Sequence, residues 1–242
     1  MKMKKTLLLF VSVLGIACQV QAGPWDELNK LNEKYAKASS YYTRIRYTLM
    51  DADNPSTLID DRSGEVKRSP LGIYNKLDQL EYVVNKNYAL LINHELQECV
   101  VQRNTAMENP NSEGTDYSWI NTLLKQNNVM YYVTADVQGQ KAFRIDFKHN
   151  VMLKYRYIDI HFSPEKLEVT KVKMFYRHDA SLYGLEGAYT PLMVMEYSAQ
   201  NFAPVFTEND FSEKNYVSIN GNKAQGVNAC KDYSILLDIA EK

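Results

Sequence analysis

Short segments of strand-forming residues follow one another along this chain with only two to four residues between them. The clearest candidates are Glu65 to Arg68, Gly72 to Leu77, Leu80 to Val84, Tyr88 to Asn93 and Leu96 to Val101. Links such as Asn85-Lys86-Asn87 suit hairpins and are too short for the helical crossover that a parallel pair needs. The spacing therefore predicts an antiparallel sheet.

A helix and a long strand are predicted before this run. Pro24 to Ser39 has apolar residues at spacings of three and four, including Leu28, Leu31 and Tyr35, and acidic residues in its first turn. Tyr41 to Met50 alternates instead, with Arg44 and Arg46 on one face. That face is either a charged exterior or a surface that meets an anionic head group or the carbonyls of a lid.

Further strand candidates follow a polar stretch and a second helix candidate. The helix candidate is Asp116 to Gln126, and strand patterns resume at Val129 and recur to Ala199, with weaker ones near Tyr216 to Ile219 and Tyr233 to Ile239. Since strands flank residues 102 to 128 without a linker, one curved sheet is favoured over two domains. We predict an α+β fold in which a curved antiparallel sheet forms an incomplete barrel and helices cover its concave face.

The first 22 residues have the pattern of an export signal. Three lysines precede an apolar stretch from Leu7 to Ala17, and Val20-Gln21-Ala22 fits a cleavage site. We therefore predict a signal peptide over 1–22, cleavage after Ala22, a single domain over 23–242 and a periplasmic location. A lipid anchor at Cys18 is the alternative, although the usual leucine three residues earlier is replaced by Gly15.

Composition excludes some classes of protein. The 28 Lys+Arg nearly balance 29 Asp+Glu, so there is no basic field for nucleic acid. No apolar run after residue 17 approaches the roughly 20 residues of a membrane helix. An oxidising compartment would permit a disulfide between Cys99 and Cys230, and two separate buried thiols are the other possibility.

The order of elements and one local stretch resemble the LolA and LolB-like family of periplasmic lipoprotein carriers. Gly64 to Pro70 is similar to that family's glycine, strand and Lys-Arg-Pro turn, with Ser69 intruding before the proline. Leu80 to Asn93 resembles its apolar hairpin, although Asn85-Lys86-Asn87 replaces the more usual Asp-Gly-Lys turn. The chain therefore looks like a divergent member of this family.

This resemblance implies an N-terminal helix, an incomplete barrel and helices that act as a lid over a cavity for lipoprotein acyl chains. It implies that Arg68, which matches the arginine of the turn, helps to hold the lid closed. A membrane transporter or an outer-membrane acceptor would be possible partners, and no cofactor is implied.

A groove for acyl chains is predicted where apolar strand and helix residues share the inner face of the sheet. Nine residues are expected to line it: Trp25, Leu28, Tyr82, Leu90, Ile92, Trp119, Leu123, Phe143 and Phe147. Several strands carry apolar residues on the second face as well, such as Val83 and Leu91. A one-residue error in register would exchange the two faces.

The leading hypothesis is an exported lipid-binding or lipoprotein-carrier protein that is not an enzyme. There is no Gly-x-Ser-x-Gly elbow, phosphate-binding loop or Cys-x-x-Cys motif. His94 is expected to lie at the surface. Asp159 and Glu168, on neighbouring strand candidates, could meet, but pairing with a lysine across strands is the simpler expectation. A sensor or protein-interaction module and an exported hydrolase without a recognisable motif remain the alternatives.

Overall fold

A computed structural model describes residues 24–104, 130–135, 141–147, 155–177 and 189–238, and the side chains of 24–25 and 130–135 lie outside this description. One helix, α1 (Pro24–Lys37), precedes the strands. In the first half of the chain these are β1 (Tyr41–Asp51), β2 (Leu58–Ser69), β3 (Gly72–Leu77), β4 (Leu80–Val84), β5 (Tyr88–Asn93) and β6 (Glu98–Arg103). In the second half they are β7 (Met130–Ala135), β8 (Lys141–Asp146), β9 (Tyr155–Ser163), β10 (Glu168–Tyr176), β11 (Pro191–Asn201), β12 (Val217–Asn220), β13 (Lys223–Gly226) and β14 (Ser234–Asp238).

Twelve of these strands form one large curved sheet. Its order is β14-β6-β5-β4-β3-β2-β1-β11-β10-β9-β8-β7, so β14 and β7 are the edges and the described strands do not close into a barrel. The meander from β1 to β6 and the meander from β7 to β11 join where β1 pairs with β11. Strand β6 lies next to one edge of the sheet, and β7 forms the other edge.

The region after β11 adds a separate layer and an edge strand. It contains 3₁₀ turns at Glu208–Phe211, Glu213–Asn215 and Asn228–Cys230 and the two-stranded hairpin β12–β13. The chain then enters β14, which pairs with β6 in parallel. The prediction of an antiparallel sheet is therefore correct for every other neighbouring pair but wrong at this edge, because the long return after β11 brings β14 in from the same direction as β6.

Most strand boundaries agree with the sequence pattern to within a few residues. The largest difference is β2, which begins at Leu58 rather than near Glu65. Its first half contains the charged residues Asp60, Asp61 and Arg62, so the sequence there lacks the apolar alternation that predicts a strand. Backbone hydrogen bonds to β1 hold this part extended. Strand β13 is not predicted because Lys223–Gly226 has no apolar alternation.

Helix α1 ends at Lys37, close to the predicted end at Ser39. Asp26 and Glu27 in its first turn and Lys34 and Lys37 in its last turn complement the helix dipole. In the part of the chain that the structure describes, no helix has the length and apolarity to cross a membrane. The predicted helix at Asp116 to Gln126 lies outside the described residues, as does the predicted signal peptide.

Candidate ligand-binding face

The two faces of the sheet are covered by different parts of the chain. Directly paired residues of neighbouring strands share a face, and successive residues of one strand alternate. We call the face on which α1 packs the helix face, and it contains Tyr41, Arg68 and Ile73, which are paired across β1, β2 and β3. The opposite face, here the C-terminal face, contains Tyr74 and is covered by residues that follow β11.

Helix α1 closes the half of the helix face formed by β8 to β11 and β1. Its Leu28, Leu31 and Tyr35 are buried against one apolar cluster. The strand residues in that cluster are Tyr41, Phe143, Ile145, Phe147, Ile158, Ile160, Phe162, Val169 and Val172. The structure thus brings the predicted Leu28, Phe143 and Phe147 together, at 1%, 1% and 0% exposure, as parts of a packed core.

Polar contacts hold the last turn of α1 on the sheet. The Arg68 guanidinium donates hydrogen bonds to the carbonyls of Tyr35, at 2.9 Å, and Ala38, at 3.3 Å. These carbonyls are at the end of a helix, where they lack partners within the helix and where a cation is favoured. The contact joins α1 to β2, whereas the role of Arg68 in a lid stays a prediction.

Tyr35 adds a buried hydrogen-bond group beneath the helix. Its hydroxyl donates to Oε1 of Gln200 at 2.6 Å and accepts from the backbone N–H of Val169 at 3.1 Å. Gln200 in turn donates to the carbonyl of Val169 at 2.7 Å. Burial raises the pKa of Tyr35, so the hydroxyl stays protonated and able to donate.

Beyond α1, the helix face exposes a continuous row of apolar side chains. Tyr82, Leu91, Val100 and Leu236 are paired in turn across β4, β5, β6 and β14. Tyr82 is 41%, Leu91 49% and Leu236 54% exposed. We call these four residues the apolar row. It is the part of the helix face that α1 leaves open, and soluble proteins seldom leave such a patch without a ligand or partner.

Leu90 and Ile92 do not belong to this surface, which corrects the predicted groove. They alternate with Leu91 in β5 and lie on the C-terminal face, where both are completely buried. Tyr82 lies on the helix face, so Tyr82, Leu90 and Ile92 cannot line one groove. The prediction assigned alternate residues of β5 to the wrong face. Because this strand is apolar on both faces, its sequence does not show which face is open.

The C-terminal face of β3 to β6 is a closed second core. Val83, Leu90, Ile92 and Val101 pack there against a group of residues from after β11: Phe206, Phe211, Tyr216, Val217, Ile219, Cys230 and Tyr233. Gly72 permits the close approach, since a Cβ at that position would lie 2.8 Å from the side chain of Phe211. The buried Asn85 amide donates to the carbonyl of Phe211 at 3.0 Å.

The second core contains a buried carboxylate, that of Glu81. It accepts hydrogen bonds from Tyr216 at 2.7 Å, Lys76 at 3.0 Å and Tyr74 at 3.2 Å, and one of its oxygens lies 3.0 Å from Nε2 of His94. Burial alone would raise the pKa of Glu81, but hydrogen bonds from Tyr216, Lys76 and His94 together lower it. The carboxylate therefore stays ionised and fastens the C-terminal segment to β4.

His94 is part of this network rather than a surface residue, contrary to prediction. Its Nδ1 lies 2.8 Å from the hydroxyl of Tyr233, and its side chain is 18% exposed. The Glu81 partner is in a neighbouring strand and the Tyr233 partner is 139 residues away in sequence. No local signal could have identified them.

Cys99 and Cys230 are unbridged thiols in the second core. Both are completely buried. Burial raises the pKa of Cys99 to about 12, so this thiol is neutral and a poor nucleophile. The alternative of two buried thiols is therefore the one that the structure contains.

The remaining polar side chains of interest belong to ordinary ion pairs. Arg46 makes two hydrogen bonds to Asp61, at 2.9 and 2.6 Å, on an exposed part of the C-terminal face. Asp159 pairs across strands with Arg144 rather than with a lysine, and Glu168 lies 3.2 Å from Lys34, which belongs to α1 and not to a strand. Among the described residues, no group of three or more His, Cys, Asp or Glu side chains is placed to hold a metal ion.

Three predicted groove residues have no described side chain. Trp25 lies in the first turn of α1, but its side chain is not among those that the structure describes. Trp119 and Leu123 lie outside the described residues. The apolar row contains three residues that are not among the nine predicted ones, Leu91, Val100 and Leu236. A signal for Leu91 existed, since β5 carries apolar residues on both faces, but Val100 and Leu236 required the pairing of β6 with β14.

Comparison with known proteins places this architecture beside several solved structures. A conserved protein from Thermus thermophilus is 7% identical, with 88% of this chain and 98% of that chain covered and a TM-score of 0.47. A LolA superfamily protein from Nitrosomonas europaea is 9% identical over 79% of this chain and 98% of that chain, with a TM-score of 0.35. The lipoprotein LppX from Mycobacterium tuberculosis is 10% identical over 76% and 97%, with a TM-score of 0.38.

A LolA superfamily protein is thus among the structures that resemble this chain, in agreement with the resemblance predicted from the sequence. No protein-family model and no curated protein matches the sequence. At TM-scores below 0.5, the likenesses do not identify a ligand. A proposal for the function of this chain therefore rests on the exposed apolar residues of the helix face.

Proposed function

We propose that this chain is a lipid-binding or lipoprotein-carrier protein of the cell envelope that holds acyl chains on the helix face of its sheet. The observation that carries the proposal is the apolar row, which continues the helix face beyond the edge of α1 and is open to solvent. The export pattern in residues 1–22 supports the location.

The size of the row suits a hydrocarbon chain. Neighbouring strands lie about 4.8 Å apart, so four strands give the row a length of about 14 Å. Each acyl methylene removed from water contributes about 0.8 kcal/mol, and a chain of about 14 methylenes contributes about 11 kcal/mol before the costs of association. An apolar ligand is therefore retained without any charged contact.

The half of the helix face under α1 has features that would let it adjust to a ligand. Met174 and Met195 are partly buried beside the α1 core, and methionine adapts its shape more readily than branched residues. The last turn of α1 is held by the two Arg68 hydrogen bonds. A ligand that extended from the apolar row toward α1 would compete with the helix for the face, and this competition would provide a route for release.

Replacing Leu91 by Asp tests the position of the ligand. Leu91 is central in the apolar row and 49% exposed, so the folded protein tolerates a carboxylate there, whereas an acyl chain does not. We expect the dissociation constant of a fluorescent fatty-acid probe to rise at least about tenfold, which corresponds to about 1.4 kcal/mol. Thermal unfolding measured alongside checks that the variant is folded.

Leu58→Asp is the matched control. Leu58 is 57% exposed at the start of β2, outside the apolar row, and its replacement leaves probe binding unchanged. Mass spectrometry of organic extracts from gently purified protein identifies any lipid that is carried along. Absence of extracted lipid together with no displaceable probe binding would contradict the proposal and favour a protein-interaction module instead.

A further inference from the structure

Strand β14 is an edge of the sheet to which no second described strand is added. It pairs with β6 on one side only. Native proteins usually protect such an edge with lysine, proline or a β-bulge. Ser234–Asp238 contains neither lysine nor proline, and its register with β6 is unbroken. The edge is therefore a template for pairing with a further strand.

The backbone groups that this edge offers belong to Ile235 and Leu237. The N–H of Ser234 donates to the carbonyl of Gln97 at 2.9 Å, on the side of β6. Because the backbone groups of successive strand residues point to alternate sides, those of Leu236 also face β6, and those of Ile235 and Leu237 face outward. The edge thus presents two N–H donors and two carbonyl acceptors.

A second copy of β14 satisfies all four of these groups. In an antiparallel pair centred on Leu236, this residue lies opposite the partner's Leu236, and Ile235 lies opposite the partner's Leu237. The N–H and C=O of Ile235 then exchange hydrogen bonds with those of the partner's Leu237. Two-fold symmetry repeats both bonds on the other side of the centre.

The side chains at the two ends of β14 are complementary in the same register. Ser234 lies opposite the partner's Asp238 in a closely spaced pair, so the hydroxyl can donate to the carboxylate. Both residues are exposed in the single copy, and no like charges face each other. A strand from an unrelated protein would use the same backbone groups, but the match at both ends favours a second copy.

The same pairing joins the apolar rows of the two copies. Leu236 ends the row in each copy and is 54% exposed. Since directly paired residues share a face of the sheet, the row of one copy continues into the row of the other. Eight strands then carry it, over about 34 Å instead of about 14 Å.

We propose that two copies of this chain pair through the edges of β14, in an antiparallel register centred on Leu236, so that their apolar rows form one continuous surface. The pairing of the strands is independent of the proposed function. The use of the joined rows by an acyl chain rests on that function.

The interface is small, so a ligand should strengthen it. Stable dimers bury about 1,200 Å² or more in total, and two strands of five residues supply only part of that area. We expect the free protein to dimerise with a dissociation constant of about 10 to 500 μM. Palmitate that lies across the joint contacts both copies, so saturating palmitate should lower this constant at least about tenfold.

Sedimentation velocity of the purified protein at about 5 to 500 μM, with and without palmitate, measures these constants. A protein that stays monomeric throughout, with and without palmitate, would overturn the inference. If such a monomer still binds the fluorescent fatty-acid probe, the proposed function stands without the dimer.

Ser234→Asp tests the register. It places like charges opposite each other at both ends of the interface, so the dissociation constant of the dimer should rise at least about tenfold. Adding Asp238→Ser to the same chain restores one carboxylate opposite one hydroxyl at each end and should return the constant to within about threefold of the parent. Ser218→Asp, which adds the same charge at an exposed position of β12, is the matched control and leaves the constant unchanged.

Leu237→Pro tests the backbone hydrogen bonds. It removes an outward N–H, whereas Leu237→Ala removes the same side chain and keeps the N–H. We expect the proline variant to dimerise at least about tenfold more weakly than the alanine variant. Thermal unfolding checks that both are folded, and if the proline variant is not, Ser234→Asp still decides because Ser234 is exposed.

The remaining outcomes separate the two parts of the inference. A dimer that Ser234→Asp does not weaken, or that the double change does not restore, uses another surface and overturns the assignment to β14. A dimer that responds to these changes but not to palmitate confirms the pairing of the strands and contradicts the role of the joined rows.

Discussion

The carboxylate of Glu81 shows how one residue can connect distant parts of the chain. It is 6% exposed and accepts hydrogen bonds from β3 and from Tyr216, which lies 135 residues later. Removing one partner from such a network leaves the others unpaired in a buried place. We expect Glu81→Gln to lower the free energy of unfolding at pH 7 by about 2 to 4 kcal/mol, measured by chemical denaturation.

The same residue predicts a pH dependence. The pKa of Glu81 in the folded protein is below its ordinary value of 4.5, so its contribution is fully present above that value and is lost as the pH falls through the lowered pKa. The stability of the parent protein should therefore drop more steeply than that of Glu81→Gln below about pH 4.5. Glu95→Gln, at an exposed position of the β5–β6 turn, serves as control, and equal slopes for parent and Glu81→Gln would contradict the prediction.

At the scale of elements, α1 depends on β2 for its position. Arg68 joins the two through the carbonyls of Tyr35 and Ala38, and hydrogen bonds from a charged donor are worth about 1.5 to 3 kcal/mol each. We expect Arg68→Ala to make cleavage by trypsin at the lysines of α1 at least about tenfold faster, because the helix opens more often.

Arg44→Ala is the matched control for this experiment. It removes one arginine, and hence one trypsin site, from an exposed position in β1 that is not in contact with α1. Cleavage in α1 should stay at the rate of the parent. An equal rate in Arg68→Ala would mean that the apolar stripe alone positions the helix.

The elements themselves were largely predictable from local patterns. Strands β3, β4 and β5 begin and end where the sequence predicts, since each is a short apolar segment between turn residues. The polar first half of β2 was not predictable, because its extended form comes from pairing with β1 rather than from its own residues. The parallel approach of β14 likewise depends on a return of some thirty residues that no local pattern describes.

At the scale of the whole molecule, the sheet separates a binding face from a structural one. Val83 is 1% exposed in the second core, and the apolar row lies on the other side of the same strands. We expect Val83→Ala to lower the thermal midpoint by about 5 °C, because it leaves a cavity in a closed core. The rise of the midpoint on adding monopalmitoylglycerol at a hundredfold excess over its dissociation constant, about 5 to 10 °C, should be unchanged.

Leu91→Asp should behave in the opposite way to Val83→Ala, with little change in the stability of the free protein and a weaker response to lipid. Its free protein should unfold close to the parent, because Leu91 is half exposed, but the same lipid should raise its midpoint by less. If Val83→Ala also lost the ligand-induced rise, the two faces would be coupled and the division of roles proposed for them would be wrong.

The candidate site was predictable only in part, for a reason visible in β5. Its composition indicates an apolar strand within an antiparallel sheet, and the family resemblance points to Arg68, which contacts α1 in the structure. Leu90, Leu91 and Ile92, however, are all apolar, so their sequence does not say which side faces a ligand.

Sequence by itself determined the helix, nearly all the strands and the two-sided apolar character of the hairpins, because these follow from spacing and turn chemistry between near neighbours. Tertiary structure alone decided which face is sealed and which is open. The residues after β11 cover Leu90 and Ile92, whereas α1 stops short of Leu91. Burial depends on what packs on a strand from far along the chain, and alternation carries no information about that partner.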